Sequence, residues 1–147
     1  MGSITTRLVA VAALLLTTTI AFADEPRSYT EGPVTEVTYI KIKSGMFDEY
    51  MKWVATDRKR LMDEYKKAGI ILDSKVYGAR ARGPNDADLI LAVTYKNMAA
   101  LDGLDERTEA IDAKVMGSQK SANEAMISRD KMREVLGSDM IRELVLK

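Results

Sequence analysis

The sequence predicts an α+β domain in which a four-stranded antiparallel sheet carries its helices on one face. Three observations predict it. Period-two alternation recurs in three separated stretches, a long apolar stripe of helical period follows the first of them, and the elements succeed one another as β-α-β-β-α(α)-β.

The elements follow in chain order. From Val34 to Lys43 the chain alternates, with Thr38, Ile40 and Ile42 on one side and Val37, Tyr39, Lys41 and Lys43 on the other, as in a strand. Ser44-Gly45 breaks that strand and can cap a helix whose positive end receives Asp48 and Glu49. Phe47, Tyr50, Met51, Val54, Leu61 and Tyr65 recur at spacings of three, four and seven, giving one apolar stripe along a helix from about Met46 to Ala68. Lys66 and Lys67 suit its negative end, and Gly69 can adopt the left-handed conformation that stops it. Ile70 to Ala81 alternates again, setting Leu72, Ser74 and Val76 against Ile71, Asp73, Lys75 and Tyr77. Arg82-Gly83-Pro84-Asn85-Asp86 is dense turn chemistry, and Ala87 to Tyr95 reads as a strand buried on both faces, so the two strands form a hairpin. Asn97 caps a helical region through about Met116 with bends at Gly103 and Gly117. A further helix is expected from about Ser118 to Leu136, with Ala122, Met126, Arg129, Met132 and Leu136 on one side and Gly137 as its stop. Asp139 to Lys147 alternates and closes the chain as a strand.

That order is the split βαβ arrangement of ferredoxin-like domains. The helix-free face of the sheet then holds Val37, Tyr39, Lys41, Ile71, Lys75 and Tyr77, joined by apolar residues such as Leu89, Leu91, Val93, Ile141 and Val145. Such a surface is too apolar for water and too polar for a sealed core, and pairing two sheets face to face covers it.

Residues 1–23 carry the three parts of a secretory signal. Arg7 is its one positive charge, Leu8 to Leu16 is an unbroken apolar run, and Ala21-Phe22-Ala23 offers small residues to a signal peptidase. Thr17, Thr18 and Thr19 end the run well short of the roughly 20 apolar residues that a membrane span needs. With no cysteine to lipidate, the mature chain should be free of the membrane, in the periplasm or secreted. Residues 24–33 are rich in polar residues and turn formers and read as a flexible lead-in to one domain over 34–147.

Composition removes many functions. The 147 residues include neither cysteine nor histidine, which excludes disulfides, thiolate metal sites, cysteine nucleophiles, His-centred triads and histidine-ligated haem. Basic and acidic side chains balance at 22 each, and no basic patch marks a nucleic acid or a membrane surface as partner. Asp102, Asp105 and Glu106 serve a helix start, and no metal or other cofactor is predicted.

The stretch Val34–Lys147 resembles the dimeric α/β-barrel superfamily. That group includes antibiotic-biosynthesis-type monooxygenases, haem-degrading enzymes, chlorite-dismutase-like proteins and NIPSNAP-like proteins. The resemblance is carried by the element order, by Ile40-Lys-Ile-Lys-Ser-Gly-Met-Phe-Asp-Glu-Tyr50, by Lys-Ala-Gly69, and by Arg133-Glu-Val-Leu-Gly-Ser-Asp-Met-Ile-Arg-Glu-Leu144. None of these is a catalytic signature, and together they look like an exported, uncharacterised branch of the group. The resemblance implies a homodimer whose two sheets close a barrel, with a small-molecule cavity between each sheet and its covering elements. The connection from Asn97 to Ser138 is longer than one crossover helix needs, so an extra helix or a lid is expected there, and either would alter the shape of the cavity.

Tyr39, Lys41, Lys75 and Tyr77 are the leading ligand-binding candidates. Adjacent strands would set two phenols and two ammonium groups on one face, where they could hold a carboxylate or enolate, or act as bases in a cofactor-independent oxidoreductase or isomerase. The plainer reading, which is favoured, is that the lysines extend to the rim and the tyrosines pack across a dimer interface. Trp53, beside the main stripe of the first helix, is a further candidate as a groove residue, with packing the favoured role. Arg80 and Arg82 read as a solvated hairpin rim, and Arg129 and Arg133 as semi-buried arginines awaiting an acid such as Glu143. Three functions follow: a homodimer binding a small, partly apolar ligand, the cofactor-independent enzyme, and a structural dimer without ligand.

Overall fold

In the computed structural model, which describes residues 27–147, four antiparallel strands form one sheet in the order β2-β3-β1-β4. The strands are β1 (Tyr29–Ile42), β2 (Asp73–Gly78), β3 (Leu89–Tyr95) and β4 (Arg133–Leu146). Between β1 and β2 run α1 (Phe47–Trp53), a π-helical turn (Val54–Arg58) and α2 (Lys59–Lys67), without a break. Between β3 and β4 come a 3-10 turn (Met98–Leu101), α3 (Leu104–Met116) and α4 (Gln119–Met132). This is the expected ferredoxin-like α+β fold, with helices on one face only.

Register fixes the two faces, because directly paired residues point the same way. Ile40 pairs with Leu89, Thr38 with Leu91 and Val34 with Tyr95, which puts these side chains on the helix side of the sheet. Ile40, Leu89 and Leu91 form one core cluster with Tyr50, Val54 and Met132. A second joins Val34 and Tyr95 to Ile70 and Ile71 under α2 and α3, where the Tyr65 hydroxyl donates to Asp112. The opposite face carries Tyr77, Ile90 and Tyr39 in one row and Lys75, Ala92 and Val37 in the next.

Leu89, Leu91 and Val93 thus face the helices and not the open side; Ile90, Ala92 and Thr94 take the open positions. Ile71 lies before β2 and is buried in the second cluster, so it too leaves the open face.

Several boundaries depart from expectation. β1 begins at Tyr29, inside the stretch read as a lead-in, because β4 supplies a partner as far as Leu146. Pro33 is accommodated where the register shifts between Glu31 and Val34. Residues 1–23, and with them the signal reading, lie outside the described residues, as do 24–26. Ser44 does not cap α1: the preceding residue is Met46, which makes no side-chain cap, and Gly45 turns the chain at φ 78°. Asn97 accepts from Ala100 N at 3.0 Å as a cap, but of a short 3-10 turn, and Gly103 and Gly117 bracket α3.

The largest difference is at the last helix, which stops at Met132 instead of Leu136. Arg133 turns extended, and Arg133, Glu134 and Val135 pair with Ile42, Lys41 and Ile40. A ladder partner fourteen residues long outweighs four residues of helical spacing. Leu136 becomes the extra residue of a bulge, and Gly137 pairs with Tyr39 inside the strand. Among the described residues no helix is long and apolar enough to cross a membrane.

Candidate binding pocket and arginine cluster

The π-helical turn sets the geometry of the site. In an α-helix each residue advances about 100°, so Arg58, eight residues after Tyr50, would overshoot the Tyr50 direction by roughly 80°. The wider turn over Val54–Arg58 rotates less per residue and takes that overshoot back. Tyr50, Val54 and Arg58 consequently share the buried face, with exposures of 0%, 5% and 7%. A charged side chain is thereby carried under the helix.

A pocket of about 300 Å³ opens between this helical run and the edge strand β2. Met51, Val54, Met62 and Val76 make its apolar wall, and Arg58 and Ser74 contribute polar groups. The rim is charged but internally balanced: Lys59 pairs with Asp63 at 2.7 Å, and Lys66 with Asp73 at 3.0 Å across the mouth from helix to strand. The interior is different. The Ser74 hydroxyl is buried without a hydrogen-bond partner, and Arg58 makes no ion pair among the described residues. Burial lowers the Arg58 guanidinium from its ordinary range, and the nearby Arg133 charge lowers it further, against the opposing influence of Tyr50.

Next to Arg58 lies a cluster of cations and aromatic rings. Trp53 stacks on Tyr50 with ring centroids 5.7 Å apart. The Arg129 guanidinium sits 4.6 Å from the Trp53 centroid, and that of Arg133 sits 5.8 Å from the Tyr50 centroid. Arg133 Nη1 donates to the Tyr50 hydroxyl at 3.1 Å. Arg129 Nε, Arg133 Nε and Trp53 Nε1 are all buried without a partner among the described residues. Glu143, the acid expected to neutralise these arginines, instead packs against Gly32 at the far end of β4. Arg129 and Arg133 are also not one turn apart on a single helix: one is in the last turn of α4 and the other opens β4.

The four candidates on the open face are less closely gathered than expected. β1 and β2 are not adjacent, since β3 separates them, so Ile90 stands between Tyr39 and Tyr77 and Ala92 between Lys75 and Val37. Two strand spacings put the phenols' backbones roughly 10 Å apart. Lys41 is held by Asp88 at 3.1 Å and Lys75 by Asp73 at 3.6 Å. A hydrogen bond to Asp139, then burial, raises the Tyr39 phenol above its ordinary range, and Tyr77 is 48% exposed. None of the four lines the helix–sheet pocket. Trp53 packs against the first core cluster and within the arginine cluster.

Arg58 and Ser74 were not singled out from the sequence. A signal for Arg58 did exist, because it falls four residues after Val54 and eight after Tyr50, where an arginine interrupts an apolar stripe. The π-turn that makes this spacing count has no sequence signature.

No protein-family model and no curated protein matches the sequence. Among solved structures, the chain is similar to HapK from Hahella chejuensis, with a TM-score of 0.52 and 14% identity over 75% of this chain and 91% of that one. It is also similar to a dimeric ferredoxin-like protein from an uncultured marine organism, with a TM-score of 0.49 and 14% identity over 80% of this chain and 98% of that one. At such identity the likeness to HapK shows the fold alone.

Proposed function

We propose that the protein is an exported homodimer that binds a small, partly apolar ligand in the pocket between its first helical run and β2. The observation that carries this is the mismatch inside the pocket: apolar walls line a hydroxyl on Ser74 and a buried cation on Arg58 that are both without partners among the described residues. Buried polar groups without partners cost free energy, and a ligand that supplies acceptors relieves that cost. A volume of about 300 Å³ stands at the small end of ligand sites. The test is thermal unfolding against a panel of small amphipathic molecules, since binding to the native state raises the midpoint. Val76→Trp, which fills the cavity, is expected to abolish the rise; a panel that leaves the parent and Val76→Trp alike overturns the proposal.

The homodimer is supported by what the single chain leaves uncovered. β4 is an edge strand of fourteen residues, and Val135, Ile141, Leu144 and Val145 on it are each at least 45% exposed. The neighbouring open face mixes Ile90 and Ala92 with paired charges, a composition suited to an identical partner. Sedimentation at micromolar concentration is expected to give a dimer, and Ile141→Asp a folded monomer. A parent that sediments as a monomer removes the dimer. Export rests on the pattern of residues 1–23.

A further inference from the structure

The cluster beside the pocket has an excess of donors. Among the described residues Arg129 Nε, Arg133 Nε and Trp53 Nε1 are N–H groups with nothing to donate to, and the acceptor inside the cluster is the Tyr50 hydroxyl, already used by Arg133 Nη1. Arg58, Arg129 and Arg133 bring three positive charges, and no carboxylate forms an ion pair with any of them among the described residues. Asp130 and Asp112 act on Arg129 only at longer range, and Asp112 is engaged by Tyr65. The Arg129 and Arg133 guanidinium groups each lie against a ring, Arg133 Nη1 is taken by the Tyr50 hydroxyl, and the Nε–H left on each of the two is buried, an edge of the kind that a two-oxygen anion binds side-on.

We propose that Arg58, Arg129 and Arg133 form an oxyanion-binding centre, and that the pocket's ligand is a small amphipathic molecule carrying a carboxylate or phosphate. The second half rests on the function proposed above; the first half does not. Arg58 links the two places, since it lines the pocket and shares the buried face of its helical run with Tyr50, whose hydroxyl accepts from Arg133. The aromatic rings position the arginines through cation–π contact without neutralising them, so their charge is left for a ligand.

Trp53 is the chain's one tryptophan and lies under Arg129, so its fluorescence reports the centre directly. Phosphate and acetate are titrated into the purified protein at constant ionic strength, with chloride as the balancing anion. A saturable change is expected. Arg129→Lys and Arg133→Lys keep the charge but lose the Nε–H edge, and each is expected to weaken binding about tenfold or more. Arg80→Lys, on the exposed hairpin, is expected to leave it unchanged. A response that follows ionic strength alone, or that is the same in the two lysine variants, overturns the centre. Should either variant lose its circular dichroism spectrum, the parent decides: a higher thermal midpoint in phosphate than in chloride of equal ionic strength supports the centre, and equal midpoints overturn it. Phosphate binding without any panel ligand sensitive to Val76→Trp leaves the centre standing and removes the pocket function. Panel binding undiminished in the lysine variants leaves the pocket function standing and removes the head-group assignment.

Discussion

The two faces of the sheet treat polar groups in opposite ways. On the open face the two lysines that the sequence offered as chemistry have partners within the chain, Lys41 in Asp88 and Lys75 in Asp73, and Thr35 meets Thr94 at 2.9 Å beside them. On the helix side, where burial makes an unmet hydrogen bond most costly, Ser74, Trp53, Arg129 and Arg133 each leave one buried atom unpaired. Water can satisfy the first set without help. Among the described residues nothing satisfies the second, and that contrast separates a surface from a site.

The largest effect that can break the comparison lies at Arg58. If it is an uncompensated buried cation, Arg58→Met keeps the packing of its stem and removes the desolvation cost, so the ligand-free protein should gain about 1 kcal/mol or more in urea unfolding. A loss of about 3 kcal/mol would mean that the guanidinium has a partner and that the two faces are built alike. The matched change on the open face, Lys41→Met, should move stability the other way and by less than about 1 kcal/mol, because its ion pair is partly exposed. Opposite signs from two cation-to-methionine changes are the signature sought.

The fold was legible because alternation and stripe periodicity are direct consequences of burying one face of each element, and Ile40, Tyr50 and Val54 lie in the core where that logic puts them. The faces of β3 were not legible, since a strand apolar on both sides carries no alternation, and Leu91 and Ala92 are both buried. The end of α4 was misplaced for a related reason. Met132 and Leu136 satisfy helical spacing, but the choice between helix and strand there belongs to β1, a partner about a hundred residues earlier in sequence. The site was half visible. Arg129, Arg133 and Trp53 were noticed as residues out of place, yet their meeting with Tyr50 and Arg58 depends on a π-turn and on a chain reversal that local pattern does not record.

Acid titration sharpens the contrast with a smaller effect. Asp88 accepts the Ile42 backbone N–H at 2.8 Å and Lys41 Nζ at 3.1 Å, and these contacts, the backbone bond foremost, hold its carboxyl below the usual range. A group whose folded pKa is depressed stabilises the fold above its unfolded pKa of about 4 and loses that contribution as pH falls through the folded value. Asp63, Glu64 and Asp73 are depressed as well, so the parent weakens in acid from several sources, and the informative quantity is the difference between the parent and Asp88→Asn. That difference should favour the parent at pH 6 and shrink on going to pH 3 in urea midpoints. The difference between the parent and Arg58→Met should stay constant over the same interval, because an arginine remains charged throughout. If the Arg58 difference also collapses in acid, a carboxylate must be neutralising that arginine, and the unpaired cation on which the helix-side site depends does not exist.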